Sequence, residues 1–138
     1  MRNLICILAA IPLLLTGCAD LPPLPTKDQL AVADCGPKPD KYQEVIKAWI
    51  GETLKDPDSA IYKNFSDPVR DCIRTSIFDG SKLFYGWSVT VKMNAKNGYG
   101  GYGGYELYSF ILRDNVIIAT CDPPGEFWHV VSKPAQGQ

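Results

Sequence analysis

The sequence predicts an α+β domain in which one amphipathic helix packs on an antiparallel meander of about four strands. Three observations support this prediction: a helical stripe of apolar residues over residues 40–55, an apolar–polar alternation over residues 83–93, and two strand-like runs flanking a short turn at residues 113–115. A length of 138 residues allows one folded unit. A helix stripe and a sheet each need one face buried, so a two-layer arrangement satisfies both.

The predicted helix over residues 40–55 is indicated by its periodicity and its ends. Asp40 is expected to cap the first turn, with Gln43 three residues on completing a capping box. Pro57 ends the helix because it cannot continue the backbone ladder. We expect the stripe to bury Trp49 against the sheet. The apolar positions of the stripe are Tyr42, Val45, Ile46, Trp49, Ile50 and Leu54.

Four segments have the pattern of strands. The alternation is clearest over residues 83–93 and weaker over residues 69–77. Two further strands, residues 105–112 and 116–120, flank the predicted hairpin turn at residues 113–115.

The chain is expected to comprise a signal peptide (residues 1–17), a lipidated cysteine with a Pro-rich tether (18–39), the α+β domain (40–132) and a flexible tail (133–138). Five prolines with little periodicity disfavour helix and sheet in the tether. Arg2 precedes an apolar run that is too short to span a bilayer, which is typical of an export signal.

The apolar run ends in LTGC at residues 15–18, which resembles the lipobox of bacterial lipoproteins. The resemblance implies cleavage before Cys18 and covalent lipid on its thiol, which anchors the chain to a membrane. Ala19 stands where an Asp is the familiar signal for inner-membrane retention, so the resemblance favours the outer membrane, facing the periplasm. Asp20 follows and leaves an inner-membrane or cell-surface location open. An ordinary secretory signal is the alternative, and the domain is exported under either interpretation.

Two further blocks are LKDPDSA at residues 54–60 and NAKNGYGGY at residues 94–102. They resemble a family of small exported bacterial domains, often lipoproteins, with a DPxSA helix end and an NAKN…GGY segment after a strand. The resemblance covers residues 45–121. It implies a fold and a compartment and transfers no activity.

Glycines and tyrosines crowd residues 97–105, and two compatible interpretations are open. The first is a wide hairpin connection, in which glycines take positive φ and tyrosines pack over the sheet end. The second is a recognition loop, because rigid tyrosines give contact area at low entropic cost. Tyr99 and Tyr102 are the candidate partner-binding residues, and at least one ring is expected to be exposed.

Three cysteines remain once Cys6 is assigned to the signal peptide and Cys18 to the lipid. They are Cys35, Cys72 and Cys121. In an oxidising compartment one disulfide plus one thiol is the simplest outcome. Cys72–Cys121 and Cys35–Cys121 are both open pairings, and Cys35 also indicates that the end of the tether is pinned to the domain.

Composition and residue inventory disfavour several functions. Lys and Arg total 14 against 15 Asp and Glu, so no basic surplus favours nucleic acid. The single histidine and the cysteine spacing disfavour a metal site, and no cofactor beyond the lipid is expected. No catalytic residues are predicted, and a pairing of Cys72 or Cys121 with His129 is the remaining enzymatic alternative.

The sequence therefore predicts a non-enzymatic envelope lipoprotein that acts as a structural or interaction module, within an envelope or secretion assembly. Its expected partners are the membrane, through the lipid, and an envelope protein. A periplasmic inhibitor or ligand-binding module that uses residues 97–105 is the alternative.

Overall fold

The computed structural model describes residues 23–74, 82–121 and 128–131. The predicted signal peptide, Cys18 and the tail at residues 133–138 lie outside these ranges. The described elements, in chain order, are the helices α1 (Lys27–Val32) and α2 (Tyr42–Thr53), a 3-10 helix (Pro57–Ser59), and the strands β1 (Ile61–Lys63), β2 (Val69–Arg74), β3 (Leu83–Asn94), β4 (Glu106–Arg113), β5 (Val116–Cys121) and β6 (His129–Val130).

The six strands within the described ranges form one antiparallel sheet, which confirms the α+β class and exceeds the expected number of about four strands. The order is β1-β3-β4-β5-β6, and β2 pairs with β3 as well. The β4–β5 hairpin turns through Asp114 and Asn115, whose φ angles of 53° and 58° suit a two-residue type I′ turn. Strands β1 and β6 have three and two residues, too few for an alternation to be recognisable.

Helix α2 packs on one face of the sheet, called face A below. Ile46 and Ile50 of the helix are buried against Val89 and Phe110 of the sheet. Trp49 is half-buried and meets the Phe110 ring edge-on, with 5.7 Å between ring centroids. The predicted apolar stripe is therefore the face that α2 buries.

The ends of α2 differ from the prediction. The helix begins and ends two residues inside the expected bounds, and its N-cap, Lys41, makes no side-chain capping bond. The predicted cap at Asp40 is wrong, because this carboxylate accepts a hydrogen bond from Asn115 Nδ2 at 3.1 Å, in the β4–β5 turn. The bond to Asn115, far along the chain, takes the place of the helix-capping bond expected from Asp40.

Part of the predicted tether is helical. Thr26 caps α1 through a capping box, in which its hydroxyl accepts from the Gln29 amide while the Gln29 side chain accepts from the Thr26 amide. The expectation that the prolines disfavour helix in the tether is therefore wrong for residues 27–32, which lie between the prolines. Cys35, further on, is 1% exposed, so the end of this segment is indeed pinned to the domain.

The opposite face of the sheet, face B, carries a smaller apolar cluster. Ile73, Ile111 and Ala119 are buried there, and Trp128 packs against them. Gly86 allows the neighbouring strands to approach, because a Cβ at this position would lie 2.6 Å from Ile111 Cγ2. Both faces of the sheet therefore contribute to the core.

Candidate interaction surface

The connection from β3 to β4 is a turn fixed by its own hydrogen bonds. Asn97 Oδ1 accepts from the amides of Tyr99 (3.0 Å) and Gly101 (3.1 Å). The backbone N–H of Asn97 donates to the Gly101 carbonyl at 2.8 Å, and the Gly100 N–H donates to the backbone carbonyl of Asn97 at 2.9 Å. Gly100 has a φ of +83°, a conformation that a side chain would strain. We call residues 97–105 the Tyr/Gly loop.

Ser59 connects the two sequence blocks that carry the family resemblance. Its hydroxyl accepts from the Lys96 amide at 3.0 Å and donates to the Asp56 carbonyl at 2.7 Å. Its own carbonyl accepts from the Tyr102 hydroxyl at 3.2 Å. The 3-10 helix after α2 thus supports the base of the Tyr/Gly loop. Sequence reasoning missed this role of Ser59, since no local pattern links residues so far apart.

The two candidate tyrosines have different environments. Tyr99 is 100% exposed, so the expectation of at least one exposed ring is met. Tyr102 is 47% exposed, with its hydroxyl bound to Ser59 and the Lys96 ammonium 5.9 Å from its ring centroid. Tyr99 is therefore available for contact, whereas Tyr102 fixes the loop to the domain.

The part of face B beside the loop is also exposed. Lys63 and Leu107 lie opposite Lys92 on either side of β3, so the three residues share this face. The Lys63 ammonium stands 4.4 Å from the Tyr105 ring centroid, a cation–π distance. Ile61, Tyr105 and Leu107 are among the exposed large apolar residues. This end of the molecule thus combines apolar and aromatic contact area with lysine side chains.

At the other end of β3, residues 33–36 lie against face A. Arg70 Nη1 donates to the Ala33 carbonyl at 2.6 Å, and its guanidinium stands 5.1 Å from the Trp87 ring centroid. Trp87 Nε1 donates to the Gly36 carbonyl at 3.1 Å. The segment that follows the predicted tether is therefore attached to the sheet by side chains of two strands.

Arg113 completes this attachment, which we call the latch: residues 33–36 with Arg70, Trp87 and Arg113. Arg113 Nη2 forms an ion pair with Asp34 Oδ2 at 2.7 Å, and Nη1 donates to the Asp34 carbonyl at 2.7 Å. The Gly36 amide and then Arg113 lower the pKa of the Asp34 carboxyl, and the bond to Asp34 raises the pKa of Arg113. A cavity of about 640 Å³ beside the latch is lined by both members of this ion pair.

The structure does not bring together the Cys–His pairs of the enzymatic alternative. His129 lies opposite Thr120, and Cys121 is the next residue, so the β-strand alternation points Cys121 to the other face. Cys72 lies on β2, whereas His129 lies on β6. Strands β3, β4 and β5 stand between them in the sheet. Among the described residues, no three His, Cys, Asp or Glu side chains are grouped as metal ligands.

Comparisons with protein-family models, curated proteins and solved structures find no match. None of the helices within the described ranges is long and apolar enough to cross a membrane.

Proposed function

We propose that this protein is a lipid-anchored envelope protein whose domain presents the Tyr/Gly loop to an envelope protein partner and acts without catalysis. The observation that supports this proposal most is the placement of the loop relative to the latch. The latch contacts β3 near Tyr85 and Trp87, whereas the loop follows Asn94 at the far end of the same strand. At about 3.3 Å per residue, Tyr85 and Asn94 stand about 30 Å apart.

This separation suits a tethered interaction module. A chain that comes from a lipid anchor reaches the domain through residues 33–36 and is fastened there by Arg70 and Arg113. The exposed Tyr99 ring projects from the opposite end. An anchor and a bound partner would therefore occupy different surfaces, and neither would obstruct the other.

The loop also suits binding on energetic grounds. Hydrogen bonds made by the side chain and by the backbone of Asn97 fix the turn before any partner binds, which reduces the entropy lost on association. A tyrosine ring then offers a large contact area with few rotatable bonds. The complementary partner surface is an apolar pocket for the Tyr99 ring, with carboxylates beside it that face Lys63 and Lys92.

Site-specific photo-crosslinking in the bacterial envelope tests the proposal. A photoreactive residue replaces Tyr99 in one variant and Val32 in a control, because Val32 is 86% exposed on α1, on the latch side of the domain. We expect one saturable protein adduct from position 99, identified by mass spectrometry, and none of that mass from position 32. Equal adducts at both positions would contradict the proposal. A small-molecule or glycan adduct at position 99 would favour the ligand-binding alternative.

A further inference from the structure

Two of the three cysteines within the described residues lie at the latch. Cys72 lies opposite Tyr85, and Arg70 lies opposite Trp87, in the pairing of β2 with β3. Opposed residues share a face and alternate residues return to it, so Cys72 lies on face A beside Arg70 and Trp87. Cys35 belongs to the segment that covers this part of face A.

The backbone around Cys35 is fixed on both sides. The preceding Ala33 carbonyl accepts from Arg70, and the following Gly36 carbonyl accepts from Trp87. Cys35 is 1% exposed beneath these contacts, and Cys72 is half-buried. Burial, then the Asp71 carboxylate and an electrostatic interaction with Cys35, raise the pKa of the Cys72 thiol.

Cys121 is too far away to pair with Cys72. Three inter-strand spacings of about 4.8 Å separate β2 from β5, about 14 Å in all, whereas a disulfide joins Cα atoms at most about 7 Å apart. The Cys72–Cys121 pairing, which the sequence left open, therefore conflicts with the sheet.

Cys121 also lies on the wrong face to reach Cys35. It is opposite Ser109, which is opposite Thr90, and Thr90 points to face B. Cys35 lies over face A, so the sheet itself stands between the two side chains.

Cys35 and Cys72 are free thiols in the structure. We propose that Cys35 and Cys72 are a disulfide-forming pair, and that their oxidation joins residues 33–36 covalently to β2 and leaves Cys121 as a thiol. The bond would secure the latch where the arginines already hold it. In a lipid-anchored protein, any pull on the tether would then reach the sheet through a covalent bond.

The oxidant is a disulfide compound, either a small molecule such as oxidised glutathione or a thiol–disulfide oxidoreductase. The thiolate of Cys72, the more exposed of the pair, attacks one sulfur of the oxidant and releases its first thiol. Cys35 then attacks Cys72 Sγ, which breaks the mixed disulfide and releases the second thiol. The two protein thiols lose two electrons and two protons, and the oxidant becomes two thiols.

Peptide mapping of the purified full-length protein tests the pairing. The protein is equilibrated with oxidised glutathione, free thiols are alkylated under denaturing conditions, and the chain is digested with trypsin without reduction. Because Pro39 protects Lys38 from cleavage, Cys35 lies in residues 28–41 and Cys72 in residues 71–74. We expect these two peptides to be joined and Cys121 to be alkylated. A link that includes Cys121, or alkylation of all three cysteines, would overturn the proposal.

Serine variants supply a matched control. Reduction should lower the unfolding temperature of the oxidised wild type and of Cys121→Ser, and should not change that of Cys35→Ser or Cys72→Ser. A reducible shift that persists in Cys35→Ser would overturn the pairing. These measurements use purified protein and a defined oxidant, so they are independent of whether the Tyr/Gly loop binds a partner.

Discussion

Neighbouring tyrosines in the Tyr/Gly loop illustrate how residues of one type acquire different roles. Tyr99 touches solvent on all sides, whereas the Tyr102 hydroxyl donates to the Ser59 carbonyl. We predict that Tyr99→Ala leaves the unfolding midpoint unchanged and weakens partner capture at least about tenfold, which corresponds to about 1.4 kcal/mol. Titration of the partner identified by crosslinking measures the capture.

Tyr102→Phe is the matched variant for this prediction. It keeps the ring and removes only the hydroxyl, so it should destabilise the fold by about 1 kcal/mol in denaturant titration. If Tyr99→Ala instead destabilises the domain and retains its partner, the loop is structural only.

Gly86 is a second position where a change of one side chain should alter the stability of the domain. An added Cβ would lie 2.6 Å from Ile111 Cγ2 and 2.7 Å from the Leu112 carbonyl oxygen, and backbone cannot yield as a flexible side chain can. We predict that Gly86→Ala destabilises the domain by about 1–3 kcal/mol. Gly103→Ala is the control, because nothing lies within 4 Å of its Cβ position. Equal midpoints for both variants in denaturant titration would contradict the prediction.

At the scale of elements, α2 is held by its apolar stripe. Trp49 contacts Phe110 edge-on while part of its ring stays exposed. We predict that Trp49→Ala lowers the free energy of unfolding by about 3 kcal/mol, near the lower end for a large aromatic residue. Glu52→Ala on the exposed side of the same helix should change it by less than about 0.5 kcal/mol. A loss below about 1 kcal/mol for Trp49→Ala would mean that the stripe contributes little.

The Asp34–Arg113 ion pair of the latch should make the stability of the domain depend on pH. The pKa of the Asp34 carboxyl is lowered in the folded state, so its contribution to stability is present above the unfolded pKa of about 4 and is lost as pH falls through the lower folded pKa. We therefore predict that the wild type is more stable than Asp34→Asn at pH 6, and that the difference shrinks as the pH falls below the unfolded pKa and through the lower folded pKa. Denaturant midpoints at several pH values check this. A difference that grows on acidification would contradict it.

Elements with a sustained period were predictable from the sequence, and elements fixed by distant contacts were not. Helix α2, β3 and the β4–β5 hairpin each show a period or a turn signal long enough to recognise. The N-cap of α2 was mispredicted because Asp40 bonds Asn115 across the fold. In the candidate surface, the glycine-rich surroundings predicted that at least one of the Tyr99 and Tyr102 rings is exposed, whereas the support from Ser59 depends on a hydrogen bond to a residue 43 positions away.

At the scale of the whole molecule, opposite ends of β3 carry the two surfaces that we propose for anchoring and for partner binding. Face A and the latch receive the chain from the N-terminal side, and the Tyr/Gly loop lies beyond the far end of β3. The disulfide pair proposed at the latch would serve the anchoring role, because it would fix the point where a tether joins the fold. The exposed Tyr99 ring would serve the proposed partner binding.

The proposed anchoring also requires lipid on Cys18. This expectation is based on the LTGC sequence at residues 15–18. Acyl chains contribute about 0.8 kcal/mol per buried CH₂, so several chains hold a small domain at a membrane durably and their loss releases it. We predict that Cys18→Ser abolishes metabolic labelling with a fatty-acid probe and moves the protein out of the detergent-extracted membrane fraction. Cys35→Ser should keep both properties, since its thiol is buried inside the domain. Equal labelling of wild type and Cys18→Ser would refute the lipoprotein assignment.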